Sequence, residues 1–98
     1  MENKHNHFFY VLKCRDGTFY GGYTSNLQRR IKQHNEGKGA KYTRGRTPVE
    51  LLYWKAYATK GEALRAEYQF KQLKRKDKER FIEKARDHDE QTKELRKE

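Results

Sequence analysis

The sequence predicts an α/β fold of the α+β kind: a small three-stranded antiparallel sheet flanked by helices. Three observations carry this. Runs 8–14, 18–24 and 49–57 are short and rich in aromatic and β-branched residues, as strands are. Stretches 25–37 and 60–76 repeat apolar residues at helical spacing. The link between the first two strands is only "RDG", so that pair forms an antiparallel hairpin.

The first strand, "FFYVLKC" (8–14), is almost continuously apolar and reads as buried. The second, "TFYGGYT" (18–24), carries adjacent glycines, Gly21 and Gly22, which weaken a strand and mark a close approach of another group. A two-residue Asp16-Gly17 turn would set Tyr10 opposite Tyr23 and send Tyr20 to the other face. A three-residue turn ending on Gly17 would set Tyr10 opposite Gly22 and put Tyr10 and Tyr20 on one face. Asp-Gly suits both, and the choice stays open at this level. In the second register Gly22 leaves a gap beside two phenols, room for phosphate or water. Gly21 faces the other side, where it would give room to the ring of Tyr23 or Phe19.

The helix at 25–37 opens on Ser25 and Asn26, both good caps, and closes on Gly37. With Leu27 and Ile31 facing the sheet, Arg30 and His34 fall on the helix flank about 80° from the core direction, with Asn26 one turn earlier. Residues 37–48 hold Gly, Pro and four basic residues and read as an exposed, flexible loop. Lys38, Lys41, Arg44 and Arg46 there would clamp a nucleic-acid backbone, with Tyr42 stacking on a base. After the third strand, the helix at 60–76 aligns Ala63, Ala66, Phe70 and Leu73, and Glu67 flanks that face. A short third helix spans 76–86.

The chain has 98 residues, enough for one domain. The reading assigns 1–7, with His5 and His7, to a flexible arm, 8–85 to the domain, and 86–98 to a charged, frayed tail. Lys plus Arg number 24 against 14 Asp plus Glu, a net charge of +10 that calls for a polyanionic partner and steep salt dependence. A single cysteine, Cys14, excludes an internal disulfide and a thiolate zinc cluster. No apolar run is long enough to span a membrane, and "MENKHNHFF" lacks a signal-peptide core. A cytoplasmic setting, with nucleoid association, is the expectation.

At these positions the sequence resembles the GIY-YIG nuclease superfamily, most of all its small stand-alone bacterial, YhbQ-like members. "FFYVLKC" stands at the GIY strand with Tyr10 as motif tyrosine, and "YGG" (20–22) at YIG with Tyr20 and Gly22 in the outer positions. "YGGYTSNLQRRIKQHNEGKG" (20–39) matches at Asn26, Arg30 and His34, and "EALRAEYQFKQL" (62–73) is similar to the helix that carries the metal-binding acid, here Glu67. It departs at Gly21, usually Ile or Val, and at Tyr23, where DNA-repair members often have Lys. No Asn follows Asn35, where many members carry one late in the domain.

The resemblance implies hydrolysis of DNA phosphodiesters with one Mg²⁺ or Mn²⁺ on Glu67. Tyr20 would be the general base, assisted by His34. A free phenol titrates near 10, so nearby cations must help it. Arg30 would hold the scissile phosphate, and Tyr10 would order the water or a phosphate oxygen. Substrate choice would fall to a protein partner, since the specificity modules of larger relatives are missing. The rival reading is a non-catalytic module binding DNA, RNA or the ribosome. A third is a basic protein-interaction domain.

Overall fold

A computed structural model describes residues 6–88. Along the chain run β1 (His7–Lys13), β2 (Phe19–Thr24), α1 (Leu27–Asn35), a single 3₁₀ turn (Lys41–Thr43), β3 (Glu50–Tyr57), α2 (Lys60–Lys71) and α3 (Arg75–His88). The sheet is antiparallel with order β2-β1-β3. Most of the amino-terminal arm and carboxyl-terminal tail lies outside the described residues. His7, which the sequence reading left in the arm, belongs to β1. Its Nδ1 is 2.8 Å from the Tyr23 hydroxyl and its ring stacks on Tyr23, which holds the strand end in place.

The hairpin takes the three-residue turn. Gly17 has φ +87°, the left-handed value that favours glycine, and the Cys14 N–H donates to the Thr18 carbonyl at 2.8 Å. Thr18 donates from its hydroxyl and its N–H to Asp16, which holds the Asp16 carboxyl down at about 2, with Arg46 helping. Tyr10 therefore pairs with Gly22 and Leu12 with Tyr20.

That register sorts the sheet into two faces. On one, Phe9 and Val11 pack with Phe70 and Ile82 from α2 and α3, joined by Phe81, Leu73, Ala66 and Tyr53. Gly21 belongs here. A Cβ on it would lie 2.9 Å from the Phe70 ring, so the bare backbone seats α2's aromatic rather than Tyr23 or Phe19. On the other face Tyr10, Leu12, Cys14 and Val49 pack under α1, with Tyr20, Leu27, Ile31 and Leu51. Burial pushes the Cys14 thiol up, so it stays protonated and inert.

Asn26 caps α1 by accepting from the Arg29 N–H at 3.2 Å. At its far end Gly37 has φ +78°, and Lys38 and Gly37 donate back to the Gln33 and His34 carbonyls in a Schellman turn. The 37–48 segment is not the flexible loop its composition suggests. Thr43 and Gly39 are buried, Arg46 bonds Asp16 at 2.9 Å, and the Asn35 side chain accepts from the Val49 N–H at 2.8 Å. A buried polar bond from Thr43 to His34 ties the loop to α1, and an exposed ion pair from Arg46 to Asp16 ties it to the hairpin.

A capping box, Thr59 with Glu62, starts α2. It stops at Lys71 rather than running to 76. Gln72 and Leu73 tighten onto Tyr68, Gln69 and Phe70 carbonyls, which turns the chain so that Leu73 and α3's Phe81 and Ile82 reach the same core. No Gly or Pro marks this break.

Candidate active site

Tyr10 and Tyr20 share a face, their ring centroids 6.3 Å apart. Each then meets α1 through His34, edge to face, at 5.9 Å and 5.3 Å. Their settings differ: Tyr10 is fully buried, whereas Tyr20 is half-buried at the rim. The Tyr10 hydroxyl lies 2.8 Å from His34 Nε2. Burial pushes the phenol up to about 12, against a smaller lowering by the neighbouring Arg30 guanidinium. At neutral pH it is an un-ionised hydroxyl.

This corrects three expectations. Gly22 opens no gap for phosphate or water, because its missing Cβ is the seat of the Tyr10 hydroxyl, which would lie 2.5 Å from it. Tyr10 does not reach a substrate water: its hydroxyl is spent on His34 beneath the surface. His34 is neither a flanking residue nor a proton shuttle for Tyr20. It is the deepest residue of α1, with its two nitrogens bonded to Tyr10 and, at 2.7 Å, to Thr43. Burial, and then Arg30, push its pKa down to about 4, so it is neutral. The wheel placed it on the flank because Leu27 and Ile31 look like the core, yet both are only half-buried.

Arg30 lies at the mouth, half-buried, donating to the Gln33 side chain at 3.1 Å. With Tyr23, Thr24, Ser25, Asn26, Arg29 and Gln33 it lines a groove of about 330 Å³ beside the α1 N-terminus. The groove offers donors and positive charge to a phosphate backbone.

Glu67 comes from α2. Its side chain keeps only 17% exposure and meets Lys71 Nζ at 2.7 Å. Lys71 also stands over the Tyr20 ring, 5.8 Å from its centroid, so Glu67, Lys71 and Tyr20 form one contiguous group. Among the described residues no three His, Cys, Asp or Glu side chains gather into a metal cage. A lone carboxylate, once released from Lys71, still fits Mg²⁺, which keeps several waters and takes its other ligands from substrate phosphates.

The basic loop divides. Lys38, Lys41 and Arg44 are exposed. Arg46 is a strut rather than a phosphate clamp: it binds Asp16, donates to the Tyr42 carbonyl at 2.6 Å and covers the Tyr42 ring at 4.3 Å. Tyr42 in turn stacks on Tyr20, centroids 5.8 Å apart, so its ring is engaged within the protein before any base arrives. Thr43 and Gly39 are the neighbours that sequence reasoning missed, whereas the Glu67–Lys71 pair is the i, i+4 ion pair that helical spacing allows. The sequence held no signal for them, because the need for a second polar partner arises only once His34 is buried against Tyr10.

Residues 6–80 match the family model described as the GIY-YIG catalytic domain. A UPF0213 protein of Bacillus licheniformis is 61% identical over 80 residues, 82% of either chain. UPF0213 protein YazA of Bacillus subtilis is 58% identical over 83% of this chain and 82% of its own. The solution NMR structure of protein EF2693 from E. faecalis, 50% identical, superimposes with a TM-score of 0.57 over 86% of this chain and 90% of that one.

Proposed function

Because the chain belongs to the GIY-YIG family, whose domain is of the nuclease type, we propose that it is a divalent-metal-dependent DNA endonuclease acting on structured or single-stranded DNA. One observation carries the proposal: Tyr20 and Arg30, from β2 and α1, stand beside the buried pair Tyr10 and His34, and Glu67 of α2 joins them through Lys71, which stands over the Tyr20 ring. Residues 8–85 form the catalytic unit, working in the cytoplasm on or near the nucleoid, with a protein partner supplying substrate choice. No described helix is long and apolar enough to cross a membrane.

Tyr20, at the rim, takes the proton of the attacking water. Arg30 holds the scissile phosphate through its fork of donors and balances the charge that develops on it. Glu67 would hold one Mg²⁺ or Mn²⁺, which when bound stabilises the leaving 3′ oxygen. Lys71 must leave Glu67 for this, and the incoming phosphate offers it a new partner. Asn26 and the groove at the α1 N-terminus take the adjoining backbone, with Lys38, Lys41 and Arg44 holding it from the loop. Tyr10 and His34 support Arg30 and Tyr20 from below.

The test is cleavage of branched, flapped, single-stranded and duplex DNA with Mg²⁺ or Mn²⁺. The wild type cuts at least one of them, and Glu67→Ala and Arg30→Ala, still folded, do not. A wild type that binds these DNAs in a salt-sensitive manner, ignores EDTA and cuts none is a binding module instead.

A further inference from the structure

The direction of the protons in the buried pair follows from three distances. Thr43 Oγ1 lies 3.0 Å from the Ala40 carbonyl oxygen and 2.7 Å from His34 Nδ1, and His34 Nε2 lies 2.8 Å from the Tyr10 hydroxyl. A carbonyl only accepts, and a hydroxyl has one proton to give. The Thr43 proton therefore goes to Ala40, and Thr43 accepts from Nδ1–H. Nε2 is left as an acceptor and draws the Tyr10 proton onto itself. The Tyr10 oxygen then turns its lone pairs away from His34, and the Arg30 guanidinium, which carries only donors, acts on that phenol.

We propose that Thr43 is a positioning residue for the Tyr10–His34 pair: by fixing His34 as the Nδ1–H tautomer, it points the Tyr10 proton inward and leaves the Tyr10 oxygen an acceptor. The role of Arg30 as phosphate holder rests on the endonuclease reading; the tautomer does not. The other tautomer would aim Nε2–H at Tyr10 and turn the phenol proton away from His34, where no acceptor among the described residues is paired with it. Water cannot take over any of these bonds, because Tyr10, His34 and Thr43 are each 0% exposed. Gly39 keeps the enclosure shut, since a Cβ there would collide with the His34 ring. His34 is neutral well below pH 7, so its tautomer rather than its charge is what Thr43 sets.

The experiment is long-range ¹H–¹⁵N correlation of the His34 ring in the wild type, Thr43→Val and Thr43→Ser, with cleavage measured on each. The wild type and Thr43→Ser show a protonated Nδ1 and a lone-pair Nε2, and Thr43→Val moves toward a protonated Nε2. Cleavage falls about tenfold or more in Thr43→Val, a modest loss beside that of a 1 Å misplacement, and Thr43→Ser recovers it. A wild-type ring protonated at Nε2 overturns the proposal, as does a Thr43→Val protein with tautomer and rate unchanged. If Thr43→Val does not fold, the rings of the wild type and Thr43→Ser decide. If the wild type cuts nothing, the endonuclease reading falls alone. The Tyr10 ring resonances, shifted in Thr43→Val and restored in Thr43→Ser, then decide the relay; unmoved resonances overturn it.

Discussion

Phe9 and Tyr10 are neighbours in β1, and Gly21 and Gly22 are neighbours in β2, yet each pair divides between two faces built from different chemistry. Phe9 and Gly21 face α2 and α3, where Phe70, Phe81 and Tyr53 meet edge to face or tilted in a dry aromatic cluster. Tyr10 and Gly22 face α1, where the space is filled by a phenol, an imidazole and a threonine hydroxyl joined by hydrogen bonds. Both glycines admit an aromatic ring. One ring belongs to the core of the fold and the other to the floor of the candidate site. Both faces hold buried core, but only the second combines it with a buried hydrogen-bonded network.

The largest contrast comes from truncating one anchor on each side. Phe70→Ala costs about 3–5 kcal/mol in urea unfolding, whereas Arg30→Ala, at the rim, changes stability little and abolishes cleavage. Equal costs for the two would erase the division.

Acid sharpens it. The His34 pKa lies at about 4 in the fold against its usual 6.5. Between these values the unfolded chain takes up a proton that the folded one refuses. Stability therefore rises with pH across that window, and is lost on acidification by up to about 3 kcal/mol. The dependence is read as the wild type minus His34→Gln, which removes the carboxylates common to both.

Next come the glycines. Gly22→Ala pushes against the Tyr10 hydroxyl, and Gly21→Ala against the Phe70 ring edge. Each overpacks a filled site at a cost of about 1–3 kcal/mol. Only Gly22→Ala should also slow cleavage, measured under conditions where both are folded. The smallest effect is expected from Lys71→Met. Removing an ion pair with an exposed lysine costs less than about 1 kcal/mol, but frees Glu67 and tightens Mn²⁺ binding several-fold by electron paramagnetic resonance.

The outline of the fold was legible because strand and helix periodicities are local properties. Ala63 and Phe70 announced their face by helical spacing alone. The turn was half legible: Asp16-Gly17 signalled a hairpin, but only the absence of a positive φ at Asp16 and the Cys14-to-Thr18 hydrogen bond select the register that unites Tyr10 and Tyr20. At the site, Arg30 and Glu67 could be named from their motif context. The depth of His34 could not, because it depends on Thr43 and Gly39 folding back over it from a segment whose composition resembles a solvated loop. The end of α2 was illegible for a similar reason. It is set by where Leu73 and Phe81 must pack, and by no breaker in the sequence.

The central claim, that the Tyr10–Gly22 face receives the nucleic acid, is tested most directly by NMR titration with a cleavage-resistant phosphorothioate single strand. The account predicts that side-chain resonances of Tyr20, Arg30 and Tyr42 move together, while those of Phe70, Phe81 and Tyr53 stay in place. Shifts confined to the Phe70 and Phe81 side would contradict it.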